Sequence, residues 1–158
     1  MTATRRQAIL DELATKLATI TTSNGYRTTV TTVERCLRAW DEIKPGQRPW
    51  IGFGPNPEAP ETFAHSPSNR LDVTLPIIIA ACVEAESGAA RTEAASNLMN
   101  DIRKALYSDI RRGANAISTM ILDVASDEIH PDTHLHDGGT AYFVSRWEVH
   151  YYITTGDS

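Results

Sequence analysis

Residues 71–84 read LDVTLPIIIAACVE. Every second residue, from Leu71 through Val73, Leu75, Ile77, Ile79 and Ala81 to Val83, is apolar, and the residues between them are mixed. A period of two marks a β-strand with one buried face. At roughly 3.3 Å per residue the run spans about 45 Å, more than twice a typical strand, so it is expected to cross the whole domain. Pro76 cannot donate to a ladder, which predicts a bend, an edge or a bulge there. Ile79, in mid-strand on the apolar face, is expected in the core. Burial of that face would contribute on the order of 10 kcal/mol before the entropy of ordering the chain is subtracted.

Downstream, Ser87-Gly88 breaks the strand, and 89–107 has helical spacing, with Ala95, Leu98, Ile102, Ala105 and Leu106 on one face and Met99 beside it. Residues 108–115 form a connector. Residues 117–127 read as a strand with Met120, Leu122 and Val124 on one side and Ile117, Thr119 and Ile121 on the other. Residues 129–139, IHPDTHLHDGG, are expected to form a hairpin-like loop, and 140–155 a second long alternating strand with Phe143, Trp147 and Tyr151 inward. Upstream, 4–21 is an amphipathic helix with Ile9, Leu10, Leu13, Leu17 and Ile20 along one stripe and a Thr4/Gln7 capping box, ended by Asn24-Gly25. The Thr-rich and Val-rich 26–35 reads as an exposed or edge strand, and 48–53 as a short strand with Trp50, Ile51 and Phe53 in the core. Segment 54–70 holds four prolines and no period, so a long loop is expected there, mobile in the free subunit and ordered on docking.

These elements predict a single α+β domain: a mostly antiparallel twisted sheet of about five strands, with two helices packed on one face. With 158 residues the chain is long enough for one real core. No apolar run reaches the length of a membrane span. Cys36 and Cys82 lack metal-ligand spacing and read as free thiols. A net charge of −5 argues against a protein that grips nucleic acid through its phosphates.

His130, His134 and His136, with Asp132 and Asp137, are the densest chemical cluster, and three imidazoles could hold a divalent metal. Pro131 and Gly138-Gly139 flank it, and no recognised partner spacing accompanies it, so a polar hairpin tip is the better reading. Arg103-Lys104 and Arg111-Arg112 read as cations favoured at a helix C-terminus. No phosphate loop or nucleophile elbow occurs, and neither a cofactor nor an enzymatic activity is expected.

The stretches follow in a set order. RQAILDELATKLATI (6–20) leads to GYRTTVTTVERCLRAWDEI (25–43) and RPWIGFGP (48–55), then to LDVTLPIIIAACVE (71–84), TEAASNLMNDIRKALYSD (92–109) and YFVSRWEVHYYITTGD (142–157). In this pattern the chain resembles the tail terminator, or tail completion, proteins of long-tailed bacteriophages. The resemblance covers nearly the whole chain and brings no catalytic residues. It implies an α+β subunit that forms a ring, expected to have six members, on the head-proximal end of the tail tube. Such a ring stops tube growth and offers a face to the head–tail connector proteins, and genomic DNA passes its lumen without sequence-specific binding. The expected partners are thus other copies of the chain, the tube protein and the connector, with no membrane. The expected location is the virion neck, after assembly in the host cytoplasm. Within this frame Asp41 and Glu42, together with Asn56, Glu58, Glu61 and Phe63 of the proline-rich segment, are the expected ring or tube contacts. The alternatives are a head–tail connector or head-completion protein, and a small metal-dependent enzyme using His130, His134 and His136.

Overall fold

The computed structural model describes residues 4–67, 69–125, 128–131 and 139–154. Helix α1 (Arg5–Ala18) starts where Thr4 Oγ1 accepts from Gln7 N at 3.1 Å. The Gln7 side chain donates onward to Asp11, so the reciprocal half of the expected capping box is not made. Helix α2 (Gly88–Tyr107) is capped in the same way by Ser87, whose hydroxyl accepts from Ala90 N. The predicted stripes are the buried ones: Ile9, Leu10, Leu13 and Leu17 on α1, and Ala95, Leu98, Ile102, Ala105 and Leu106 on α2.

Strands β1 (Thr32–Glu34), β2 (Trp50–Pro55), β3 (Thr62–Ser66), β4 (Arg70–Ala85), β5 (Ser118–Val124), β6 (Glu128–Pro131) and β7 (Gly139–Thr154) form one sheet. The order across it is β1-β2-β4-β7-β5, with β3 beside β4 and β6 beside β7. The pairings are antiparallel except β1–β2, which is parallel. The result is an α+β fold with two helices on a mostly antiparallel sheet.

Two 16-residue strands, β4 and β7, form its spine. They pair without a shift from Arg70↔Thr154 to Ala85↔Gly139. Each is flanked outside by a strand in two pieces. Along β4, β2 covers Ile77 to Cys82 and β3 covers Arg70 to Thr74. Along β7, β5 covers Ser145 to His150 and β6 covers Gly139 to Tyr142.

Pro76 corrects an expectation. It lies in the central strand β4, not at an edge, and the β4–β7 register runs through it. Its carbonyl accepts from Asn56 N at 3.0 Å, on the β2/β3 side. In an antiparallel strand a residue's N–H and C=O point the same way. The missing donor of Pro76 therefore faces the gap between the end of β2 and the start of β3, where no ladder bond is needed.

Three further expectations change. Segment 54–70 is not one long loop: Gly54 and Pro55 finish β2, and 62–66 is strand β3. Of 26–35, only Thr32–Glu34 is strand. Before it, Arg27 N and Thr28 N bond to the buried Asp101 carboxylate at 3.2 and 2.8 Å, which draws the chain onto α2 and away from the sheet. On β5 the register shifts between Ile121 and Asp123. Leu122 is the extra residue of this bulge, so Val124 joins Thr119 and Ile121 on the core side while Met120 and Leu122 are exposed.

The two faces of the sheet carry separate cores. Odd-numbered residues of β4 and β7, among them Ile79 and Trp147, pack with both helices. On the opposite face Trp50, Ala80 and Cys82 pack with Ile43, which the 3-10 turns Trp40–Glu42 and Pro45–Gln47 hold in place. Gly52 lets this happen: a Cβ there would lie 2.2 Å from the Trp50 ring and 2.3 Å from the Cys36 carbonyl oxygen. Neither Cys36 nor Cys82 is in a disulfide among the described residues.

Candidate functional site

The predicted contact residues fall into two groups. Asp41 and Glu42 lie side by side on the exposed 40–42 turn. That turn leads into Ile43, and Tyr142 donates to Arg38 O beside it at 2.8 Å, so it sits on the face away from the helices. Asn56, Glu58, Glu61 and Phe63 lie along the outer edge of β4's first half. Asn56 Oδ1 accepts from Glu58 N at 2.9 Å, and Glu61 pairs with Arg6 of α1 at 2.6 Å. Phe63 is 58% exposed on β3. Thr62 and Ala64 bond to β4 through their partners Thr74 and Asp72, which leaves the backbone groups of Phe63 and His65 facing outward. The opposite edge is partly closed, because Ile121 N donates to Tyr107 Oη at 3.1 Å.

Of the predicted metal candidates, His130 belongs to β6, where it pairs with Thr140. His134 and His136 lie outside the described residues. Among the described residues no group of three or more His, Cys, Asp or Glu could hold a metal.

Several polar clusters escape the sequence reading. Glu34 accepts from Trp50 Nε1 at 2.9 Å, Arg38 Nε at 3.0 Å and Cys36 Sγ at 3.2 Å. The Trp50 bond, followed by the Cys36 bond, holds its carboxyl below the ordinary value, while burial pushes the Cys36 thiol up. Buried Arg48 reaches Glu84, Thr140 and the Ile43 carbonyl, clamping the second core to β4 and β7. Arg112, read from sequence as a cation at the end of α2, is fully buried. It donates to Glu12 Oε2 at 3.0 Å and to the Leu106 and Asp109 carbonyls, which ties the end of α2 to α1. Burial raises the Glu12 pKa and lowers that of Arg112, so both partners carry a desolvation cost.

On the uncovered part of the sheet face, His150 lies 3.0 Å from Thr74 Oγ1 and 3.3 Å from Glu148 Oε2, which fixes its ring. Beside it a cleft of about 160 Å³ is lined by Asn56, Pro60, Thr74, Pro76, Leu122 and Glu148. On the helix side a wider groove of about 490 Å³ runs between the Gly25 turn and α2, lined by Arg27, Asn100, Arg103, Lys104 and Tyr107. The adjacent Arg103-Lys104 pair was visible in sequence. Its convergence with Arg27 was not, since that depends on Asp101 pulling 27–28 onto α2.

No protein-family model matches the chain, and no curated protein matches it. Among the described residues no helix is long and apolar enough to cross a membrane.

Proposed function

We propose that the chain is a structural subunit of a bacteriophage tail, a tail terminator whose ring caps the head-proximal end of the tube and receives the head connector. The observation that carries this reading is the order of elements around the β4–β7 spine. An amphipathic helix, a short strand, a long strand, a second helix and a closing long strand follow one another as in the family the sequence resembles, and both helices share one face. Two physical features support it. The outer edge of β3 offers outward-facing backbone groups and Phe63, which suits a neighbouring subunit or the tube. The helical face carries the groove lined by Arg27, Arg103 and Lys104, and the opposite face carries Asp41 and Glu42, which suits the heterologous contacts a ring requires. On this reading the protein acts by binding, without a cofactor, in the virion neck.

The test is addition of the purified protein to tube protein during polymerisation. Tubes are expected to stop elongating and to carry a ring at one end. Tube lengths unchanged at saturating protein would overturn the proposal and favour a connector role instead.

A further inference from the structure

We propose that neighbouring subunits are joined by an electrostatic contact between the Arg27/Arg103/Lys104 groove of one copy and the Asp41-Glu42 turn of the next. The proposal rests on the ring reading above and adds the pair of surfaces that makes the ring.

Charge pairing within the subunit points to these two surfaces. Most acids are already engaged. Asp11, Glu12, Glu34, Glu61, Asp72 and Asp123 each face an arginine. Glu84 pairs with Arg48 and Glu148 with His150, while Asp101 and Asp109 accept backbone N–H groups. Among the described residues, Asp41 and Glu42 make no ion pair. They are adjacent and exposed on the 40–42 turn. Glu58, Glu86 and Glu93 are also without an ion pair, but none of them adjoins another.

The arginines that hold the engaged acids are Arg6, Arg35, Arg38, Arg48, Arg70, Arg112 and Arg146. Among the described residues Arg27, Arg103 and Lys104 form no ion pair; neither do Arg5, Lys16, Lys44, Arg91 and Arg111, but none of those lines the groove. The polar contacts of the groove cations are neutral: Arg27 to Asn97, Arg103 to Asn100, and Lys104 to the Gly25 carbonyl with its ammonium 5.0 Å from the Tyr26 ring centre. The one carboxylate lining the groove, Asp101, is buried and occupied by two backbone donors. Three cations thus outnumber the single, buried carboxylate of the groove.

The groove belongs to the helical face and the acidic turn to the opposite face. A contact between them cannot be satisfied within one subunit, and it is heterologous: each copy gives its turn to one neighbour and its groove to the other. A polyanion is the poorer occupant. A nucleic-acid strand needs an extended basic track, whereas this groove gathers three cations and the chain carries −5 overall. A pair of adjacent carboxylates matches its charge.

The test uses two full-length double variants. Arg103→Glu with Lys104→Glu reverses the groove, and Asp41→Lys with Glu42→Lys reverses the turn. Each alone places like charges across every contact, and its self-association is expected to fall by more than about tenfold relative to the native chain. Mixed in equal amounts, the two restore opposite charges at every contact if copies alternate, so association should return. A zero-length carboxylate–amine cross-linker should join Lys104 to Asp41 or Glu42 between native copies, at the highest soluble concentration or on capped tubes. Circular dichroism checks that both variants fold, since all four positions are exposed.

Native-like association of either variant alone, a mixture that stays dissociated, or the absence of that cross-link would overturn the contact. So would single-stranded DNA binding by the native protein that is lost on groove reversal while self-association persists. The two proposals fail separately. If both variants still cap tubes, the contact is wrong and the terminator reading stands. If the mixture associates but no variant or native protein caps tubes, the contact stands and the terminator reading falls.

Discussion

Ile79 and Ala80 are neighbours on β4 and lie in different cores. Ile79 faces two helices across a wide apolar layer, whereas Ala80 faces a patch closed by Trp50 and Ile43. The helical face is held by apolar area from α1, α2, β2, β4 and β7, with Val33 of β1 and Ile121 and Val124 of β5 packed against it. The other face is held by one indole, a glycine that makes room for it, and carboxylate and guanidinium groups of 34–48. One strand pair can thus support a deep core on one side and a thin, locally latched one on the other. The first fixes the fold, and the second holds the 40–42 turn in place.

Ile79→Asp should show the largest effect, because it puts an unpaired carboxylate into the deep core. A loss on the order of 5 kcal/mol is expected, enough to abolish cooperative unfolding in urea. A soluble variant with a native-like transition would mean the helical face is not the dominant core.

Gly52→Ala acts on the thin core alone. The new methyl would overlap the Trp50 ring, and a cost of about 1–3 kcal/mol is expected. Hydrogen exchange should accelerate in 34–50 and remain slow in α2. Uniform acceleration across both faces would show that the two cores are not separable.

Acid should loosen the thin core's latch. The Glu34 pKa is lower in the folded protein than in the unfolded chain. Its stabilising contribution is therefore complete above the unfolded value and disappears as pH falls through the folded one. Glu12 has the opposite sign: its raised folded pKa favours the protonated form, so its ionisation weakens stability as pH rises through that value. Urea midpoints measured from pH 6 downward should fall less steeply in Glu34→Gln than in the native chain. Equal slopes would remove Glu34 from the latch.

Leu122→Ser should have the smallest effect. The bulge turns this side chain outward, where it is 45% exposed, and a change within about 0.5 kcal/mol is expected. A large loss in thermal stability would show that Leu122 is packed.

Where apolar periodicity and burial coincide, the sequence is a good guide. The alternation of 71–83 and of 141–151, and the stripes of both helices, are the deep core itself. Strand β3 was illegible for the opposite reason. Its residues are nearly all exposed, and it is a strand only because β4 presents Arg70 to Thr74 for pairing. The parallel partner of β1, the burial of Arg112 and the role of Asp101 also depend on chain segments far apart in sequence. The face of β5 was misread after Ile121 because a bulge has no signature in local composition. Asp41 and Glu42 were legible as an exposed acidic pair, while the groove proposed to receive them exists only once α2 and the Gly25 turn have met.

The full-length pairing of β4 with β7 also sets an order of events during synthesis. Arg70 finds its partner only when Thr154 has left the ribosome, and everything from α2 to β6 is made in between. Until then the apolar side of β4 has helices to rest on but no strand on its β7 flank, and that flank can pair with another nascent chain. Closure can start at Ala85 and Gly139, the ends nearest in sequence, and zip toward Arg70 and Thr154. Slowed translation after residue 85 should therefore lengthen the interval in which the chain needs a chaperone.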